Sequence, residues 1–114
     1  MTVAFPGRVA VSGQRIESSV AAQRLPLVSV IVNNRNYRRF LGDAVASALA
    51  QDYPRIEICI VDDASTDDSW SVIAALAARK PDVVTAIRHP ENLGQLAAVK
   101  TGLLHTSGPF VVIL

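Results

Sequence analysis

From Leu27 onwards, the hydrophobic and polar positions of the chain fall into a regular alternation. Short apolar runs that are rich in β-branched residues predict four buried strands. These strands lie at 26–32, 56–61, 83–88 and 110–114. Between them, apolar residues recur at helical spacing, which predicts three amphipathic helices. These helices lie at 38–51, about 65–80 and about 92–105. Strictly alternating strands and helices predict an α/β fold, in which right-handed crossovers build a mainly parallel sheet with helices on both faces.

Polar residues at two helix starts have the spacing of a capping box. Ser65 is followed three residues later by Asp68, and Asn92 is followed three residues later by Gln95. Both pairs predict side-chain caps at the first turns of the second and third helices. Asp67 and Asp68 are expected in the first turn of the second helix, where the helix dipole favours negative charge.

The bulk composition indicates one globular domain preceded by an extension. Of the 114 residues, 50% are hydrophobic and 18% are charged, which is typical of a folded domain rather than a disordered chain. Residues 1–25 show only a short alternation, so we interpret them as a small hairpin or a disordered segment. Residues 26–114 form the predicted domain.

Charge, hydropathy and cysteine content narrow the possible partners. The net charge of +1 creates no broad field for nucleic acid, so no nucleic-acid partner is expected. No stretch approaches the roughly 18 apolar residues of a membrane span, so no transmembrane segment is expected. The single cysteine, Cys59, lies inside an apolar run and is expected to be a buried, inert thiol. These features favour a cytoplasmic location.

Three polar loops follow the carboxyl ends of the first three predicted strands and should meet at one edge of the sheet. They comprise residues 33–37, 62–67 and 89–95. Each loop opens a helix, whose N-terminus favours an anion. A site formed by these loops would suit a ligand with hydrogen-bonding edges and phosphates, such as a nucleotide.

The adjacent carboxylates Asp62 and Asp63, within "IVDDASTDDSW", admit several interpretations. A hard divalent cation would need further oxygen ligands that are not obvious nearby. Adjacent residues on an extended chain point in opposite directions, so one should face the sheet and the other the cleft. "IVDD" also resembles bacterial receiver domains, but their phosphoacceptor Asp should end a later strand, and "VVTAIRHP" and "FVVIL" contain no Asp.

Several motifs in order carry a more specific resemblance. They are "VSVIVNNRNYRRFL", "QDYPRIEICIVDDASTDDSW", "HPENLGQLAAVKTGL" and "GPFVVIL". Together they resemble the N-terminal, nucleotide-binding half of family 2 glycosyltransferases with the GT-A fold, over residues 26–114. The resemblance implies a Rossmann-like three-layer sandwich with strand order 3-2-1-4. It also implies transfer of a sugar from a nucleotide-diphosphate sugar, with a UDP-sugar favoured, to an acceptor hydroxyl in cell-wall or polysaccharide biosynthesis.

The resemblance also implies roles for individual residues in nucleotide binding. Asp63 matches the residue whose carboxylate accepts a hydrogen bond from the base. The first loop, which lies against the base and ribose in the family, matches Asn33, Asn34, Arg35 and Asn36. Arg35 stands where the family often has an aromatic ring, and a guanidinium can also stack on a base.

Supporting roles are implied for the remaining candidates. Asp62 is expected to support its loop, Ser65 to cap the helix, and Asn92 with Gly94 to shape the third loop. Lys100 is either a diphosphate contact or an ordinary solvated helix lysine. By contrast, we interpret His89 and His105 as surface or loop histidines, because neither has a ligand-forming neighbour at close spacing.

Only the resemblance implies a metal. In the family, a D-x-D motif after the fourth strand binds a divalent metal, Mn or Mg, together with the diphosphate, and this sequence ends at Leu114 before that motif. We therefore expect a full-length enzyme to use the metal in the cytoplasm or at the inner face of the membrane, and these 114 residues to be inactive, with no metal ligand and no catalytic residue. The alternative is a non-catalytic module that forms a homo-oligomer through an exposed sheet edge.

Overall fold

The computed structural model describes residues 25–114, and the predicted hairpin or disordered extension therefore lies almost entirely outside the described residues. Strands and helices alternate along the described chain, as the hydrophobic pattern predicts. The elements are β1 (Val28–Asn34), α1 (Arg38–Leu49), β2 (Ile56–Asp62), α2 (Ser69–Arg79), β3 (Val84–Arg88), α3 (Gln95–Leu104) and β4 (Phe110–Ile113). None of the helices within this range is long and apolar enough to cross a membrane.

The four strands form one parallel sheet in the order β3-β2-β1-β4, which confirms the predicted topology. The register aligns the ends of three strands: Asn34 pairs with Asp62, and Asp62 pairs with Arg88. The loops that follow β1, β2 and β3 therefore start side by side at the carboxyl edge of the sheet. The alignment of these strand ends brings residues from three distant parts of the sequence close together.

Helices α1 and α2 pack on one face of the sheet and form the larger core. Its buried members are Val30, Val32, Leu41, Val45, Ala48, Ile58, Ile60, Ile73 and Val84. Alternate residues of β1 and β2 supply the strand side of this core, as the two-residue period of a strand requires. Burial of each large aliphatic side chain contributes about 1.5–3 kcal/mol. Trp70 packs against the edge of the same core, as its helical spacing predicts.

Helix α3 covers the other face through small residues. Ala98 packs with Cys59 and Val61, while Gly102 lies so close to β1 that a Cβ there would be 2.6 Å from Ile31 Cγ2. Burial, reinforced by the negative charge of Glu57, raises the pKa of the Cys59 thiol to about 11. The thiol is therefore protonated and inert, as the sequence predicts.

Two predicted helix caps are wrong. Helix α2 begins at Ser69 with Asp68 in the N-cap position, and α3 begins at Gln95 with Gly94 in that position; neither N-cap residue makes a side-chain cap hydrogen bond. Asp67 and Asp68 consequently precede the helix instead of forming its first turn. The Ser65 hydroxyl donates to Asp62 Oδ1 at 2.6 Å, so a partner within the loop replaces the predicted cap.

Candidate functional site

A cleft of about 400 Å³ opens between the first and third loops at the carboxyl edge of the sheet. It is lined by Asn33, Asn34, Arg35, Tyr37, Asp63, Asn92, Gly94, Gln95 and Ala98. The three predicted loops all contribute to this lining, together with the start of α3. The cleft thus lies where open parallel sheets commonly bind ligands.

Asp62 ends β2 and faces away from the cleft, with a fully buried side chain. Its Oδ1 accepts hydrogen bonds from Asn34 Nδ2 at 2.9 Å and from the Ser65 hydroxyl at 2.6 Å, and its Oδ2 accepts one from Ser65 N–H at 3.1 Å. Arg88 Nε lies 3.9 Å from Oδ2. The carboxylate therefore ties the first loop to the second.

Asn36 extends this arrangement on the outer side of the loops. Its N–H donates to Ser65 Oγ at 3.0 Å, and its Oδ1 accepts from the N–H groups of Thr66 and Asp67 at 2.7 and 3.2 Å. Its φ of 60° is in the left-handed region, which asparagine tolerates better than most residues. We call Asn34, Asn36, Asp62 and Ser65 the Asp62 network; only Asn34 among them lines the cleft.

Asp63 lines the cleft and is only 3% exposed. Its Oδ1 lies 2.8 Å from His89 Nδ1 and accepts a hydrogen bond from Leu93 N–H at 2.8 Å, while Oδ2 accepts one from Gly94 N–H at 2.8 Å. Burial alone raises the pKa of the Asp63 carboxyl, but these hydrogen bonds, led by that from His89, outweigh it and lower the pKa overall. The cleft therefore contains a fixed, ionised hydrogen-bond acceptor.

His89 is the residue that the sequence interpretation missed. It is not a surface or loop histidine of the ordinary kind, because it is only 6% exposed and its Nε2 lies 2.8 Å from Thr101 Oγ1 on α3. Its role depends on register: since Asp62 pairs with Arg88, the next residues, Asp63 and His89, become neighbours. The pair follows from the parallel register of β2 and β3, which places the residues after the two strand ends side by side. We call Asp63, His89, Leu93, Gly94 and Thr101 the Asp63 network.

Arg35 forms part of the cleft wall and is partly buried. Its guanidinium donates to the backbone carbonyl of Asp63 at 2.8 Å and to that of Ala64. Ala64 has a φ of 55°, so the chain turns sharply just after the two carboxylates. Arg35 thus fastens this turn to the first loop while it borders the cleft.

The structure divides the ten predicted nucleotide-binding residues into three groups. Those that line the cleft are Asn33, Asn34, Arg35, Asp63, Asn92 and Gly94. Asn36, Asp62 and Ser65 lie behind it and hold the loops together. Lys100 is exposed on α3 and is not among the lining residues. Tyr37, Gln95 and Ala98 complete the lining.

The residues around the cleft do not fit a divalent cation. Asp63 is the one carboxylate among the lining residues, and N–H donors already hold three of its roughly four acceptor positions. Mg²⁺ and similar ions need several oxygen ligands around one point. Within residues 25–114, no group of three or more His, Cys, Asp or Glu side chains converges as a set of metal ligands.

Comparison with known proteins identifies relatives that share this part of the chain. An uncharacterized glycosyltransferase of Nostoc sp. is 44% identical over 87 residues, covering 76% of this chain and 27% of that protein. The Escherichia coli UDP-Glc:alpha-D-GlcNAc-diphosphoundecaprenol beta-1,3-glucosyltransferase is 33% identical over 90 residues, covering 79% of this chain and 35% of that protein. The chain therefore spans about a third or less of the length of these relatives.

The fold comparison agrees with the sequence comparison. A mannosyltransferase from Pyrobaculum calidifontis, solved in complex with GDP-Man and Mn²⁺, superposes with a TM-score of 0.70 at 33% identity, covering 79% of this chain and 27% of that one. The described residues thus have the sheet order and helix placement of GT-A glycosyltransferases. Residues 29–114 match the family model described as Glycosyl transferase family 2. The chain belongs to glycosyl transferase family 2.

Proposed function

We propose that residues 26–114 form the donor-binding part of a glycosyltransferase that transfers a sugar from a nucleotide-diphosphate sugar to an acceptor hydroxyl, and that this chain alone is inactive. The observation that carries the proposal is the Asp63 carboxylate, which is buried, ionised and fixed at the wall of the cleft. A carboxylate in this state accepts hydrogen bonds and cannot donate them. It therefore recognises a base that presents an N–H group.

The hydrogen bonds already made by Asp63 favour uracil as that base. A carboxylate has about four acceptor positions, and here Oδ1 is bonded to His89 and Leu93 while Oδ2 is bonded to Gly94. One position remains, on Oδ2, which suits the single ring N–H of uracil. Guanine presents two adjacent N–H groups and pairs best with both oxygens of a carboxylate. Cytosine has an acceptor at the corresponding ring nitrogen.

Neighbouring donors suit the rest of a uridine diphosphate. The side chains of Asn33 and Arg35 border the cleft and carry N–H groups that can donate to the uracil carbonyl oxygens. The N-terminus of α3 also borders the cleft, at Gly94 and Gln95, and its first-turn N–H groups favour a phosphate. In this proposal, Lys100 adds positive charge further along the same helix.

A divalent metal, Mn or Mg, is part of the proposal only for the full-length enzyme. The described residues of this cleft do not supply its ligands. The donor-binding part acts by orienting the nucleotide and excluding water from Asp63. We expect the same enzyme to work in the cytoplasm, where its longer form approaches the inner face of the membrane.

Titration calorimetry tests the proposal with UDP, GDP and CDP, each with Mn²⁺ or Mg²⁺, on this chain and on a longer form of the protein. UDP should bind most tightly, and Asp63→Ala should weaken it at least tenfold, as expected for the loss of about 1.5–3 kcal/mol from a charged hydrogen bond. Asp67→Asn is the matched control, because Asp67 lies outside the cleft. Failure of every nucleotide to bind the longer form, or indifference to Asp63→Ala, would contradict the proposal.

A second candidate is a non-catalytic, self-assembling module. Leu96 and Leu104 on α3 are 84% and 74% exposed, and β4 has one neighbour, β1, among the described strands. Exposed leucines and an open strand edge both favour association. Sedimentation at high concentration should then show a dimer that Leu96→Ser and Leu104→Ser weaken. A monomer at every concentration would exclude this candidate.

A further inference from the structure

The buried His89 has two polar partners on different elements. Its Nδ1 lies 2.8 Å from Asp63 Oδ1 on the second loop, and its Nε2 lies 2.8 Å from Thr101 Oγ1 on α3. Its backbone N–H also donates to the carbonyl of Asp62 at 2.8 Å, which continues the β2–β3 hydrogen bonds by one residue. Hydrogen bonds at the backbone N–H and at both ring nitrogens therefore fix the position of the His89 ring.

These contacts determine which ring nitrogen carries hydrogen. An ionised carboxylate can only accept, so the hydrogen of the His89–Asp63 bond lies on Nδ1. In the neutral ring, Nε2 then accepts from the Thr101 hydroxyl, which can donate as well as accept. The carboxylate thus selects the tautomer with hydrogen on Nδ1, and the Thr101 hydroxyl satisfies the other nitrogen, Nε2.

The third loop depends on the same carboxylate. Leu93 N–H shares Oδ1 with His89, and Gly94 N–H occupies one side of Oδ2. Rotation of the Asp63 carboxylate would break all of these bonds together. A donor that holds Oδ1 in place therefore also fixes the direction of the remaining acceptor position on Oδ2.

We propose that His89 is a positioning residue, which together with Thr101 orients the Asp63 carboxylate and the third loop for nucleoside recognition. The proposal rests on the proposed function, in which the free position of Asp63 Oδ2 receives a base N–H. His89 acts through Asp63 and does not itself line the cleft. Its distinguishing property is the donor at Nδ1, and not merely its volume.

Three substitutions separate that donor from simple packing. His89→Asn places an amide N–H close to the position of Nδ1, His89→Leu fills the space without a donor, and Thr101→Val removes the hydroxyl and keeps the shape. Two measurements are made on each variant of the chain. One is the NMR spectrum, which shows the amides of Leu93 and Gly94 in every form and the His89 ring nitrogens in the unmodified chain and in Thr101→Val. The other is UDP affinity by calorimetry.

The expected result is a ring with hydrogen on Nδ1 in the unmodified chain. His89→Leu should weaken UDP binding roughly tenfold to a hundredfold, as expected for the loss of a hydrogen bond to a charged group. His89→Asn should retain most of the UDP affinity. The UDP affinity of Thr101→Val should lie between those of His89→Asn and His89→Leu. The Leu93 and Gly94 amide signals should move in His89→Leu and stay nearly in place in His89→Asn.

Other results would overturn the positioning role. They are hydrogen on Nε2 alone, equal loss of affinity in His89→Asn and His89→Leu, or unchanged Leu93 and Gly94 signals in His89→Leu. If UDP does not bind the chain, the NMR signals still decide whether His89 orients Asp63 and the loop. Failure of the proposed function is thereby distinguished from failure of this inference. If His89→Leu does not fold, His89→Asn and Thr101→Val still test the role: UDP affinity should be higher in His89→Asn than in Thr101→Val, and the reverse order would overturn it.

Discussion

Asp62 and Asp63 are neighbours in sequence and both are nearly inaccessible to solvent, yet they belong to two different networks. The Asp62 network joins the first and second loops behind the cleft, and its N–H and O–H groups donate hydrogen bonds to the Asp62 carboxylate oxygens. The Asp63 network joins the second and third loops and borders the cleft. The alternation of side chains at the end of β2 thus separates a residue that supports the loops from one that can meet a ligand.

The two carboxylates differ in whether a hydrogen-bond acceptor position remains free for a ligand. The Asp62 side chain has no exposed surface and is surrounded by Asn34, Ser65 and the more distant, half-exposed Arg88. Asp63 retains one acceptor position on Oδ2 at the cleft wall. We therefore expect loss of Asp62 to affect mainly folding, and loss of Asp63 to affect mainly binding.

The largest effect on stability is expected for Asp62→Ala. This change removes the acceptor of one Asn34 N–H and of the Ser65 hydroxyl and N–H, although Asn34 Nδ2 keeps its bond to Ser65 Oγ. Each group left unsatisfied costs about 1–3 kcal/mol. We expect a total loss of about 3 kcal/mol in the free energy of unfolding, measured by urea titration. Asp63→Ala should lose less, because water in the cleft can reach its former donors. Equal losses in the two variants would contradict the division between the networks.

A smaller loss is expected for Gly94→Ala, within the Asp63 network. Gly94 has a φ of 96°, which L side chains rarely adopt, although no atom lies within 4 Å of the added Cβ. Backbone strain should therefore cost about 1–2 kcal/mol and shift the N–H group away from Asp63 Oδ2. The measurements are the free energy of unfolding and UDP affinity, both of which should fall.

Gly42→Ala provides the matched control for that strain. Gly42 lies within α1, its added Cβ also meets no atom within 4 Å, and its φ is not in the left-handed region. Alanine should stabilise this helix by about 0.5–1 kcal/mol. If Gly94→Ala were as stabilising as Gly42→Ala, the third loop would not depend on its left-handed conformation.

Local patterns predict most of the fold. The β-branched runs and the helical stripes identify every strand and helix in the described range, because each pattern is contained within a few turns or strand residues. The caps were predicted wrongly for the opposite reason. Ser65 has a cap-like spacing to Asp68, but its hydroxyl bonds to Asp62 and accepts from Asn34, 31 residues earlier in the sequence. A competing partner from another strand cannot be read from local spacing.

In the candidate site, too, some features follow from local sequence and others depend on distant parts of the chain. The three loops and the opposite directions of Asp62 and Asp63 follow from strand ends and strand geometry. Asp63 and His89 are 26 residues apart in the sequence, and their contact depends on the register of β2 and β3. The extent of the cleft depends on how closely α3 approaches the sheet, which Ala98 and Gly102 allow. Sequence spacing alone specifies neither of these distances.

Acid should weaken the Asp63 network. The folded pKa of Asp63 lies below its ordinary value of 3.8, so its contribution to stability is fully present above that pH and is lost as the pH falls through the folded pKa. Asp63→Asn has no such titration. The stability difference between the unmodified chain and Asp63→Asn should therefore narrow below about pH 3.8. Urea titrations across this range test it, and a constant difference would contradict the lowered pKa.

The smallest effect is expected for Lys100→Ala, which tests how far ligand contact extends beyond the Asp63 network. Lys100 is exposed on α3, one residue before Thr101, so its removal should change stability by less than about 0.5 kcal/mol. If the lysine meets the diphosphate, UDP affinity should fall by roughly two- to fivefold and uridine affinity should not change, since an exposed charge contributes about 0.2–1 kcal/mol. Salt should reduce this difference. Lys80→Ala, beyond the far end of α2, is the control. Equal UDP affinities for Lys100→Ala and Lys80→Ala would identify Lys100 as a solvated helix lysine and would limit recognition to the base and the loops around Asp63.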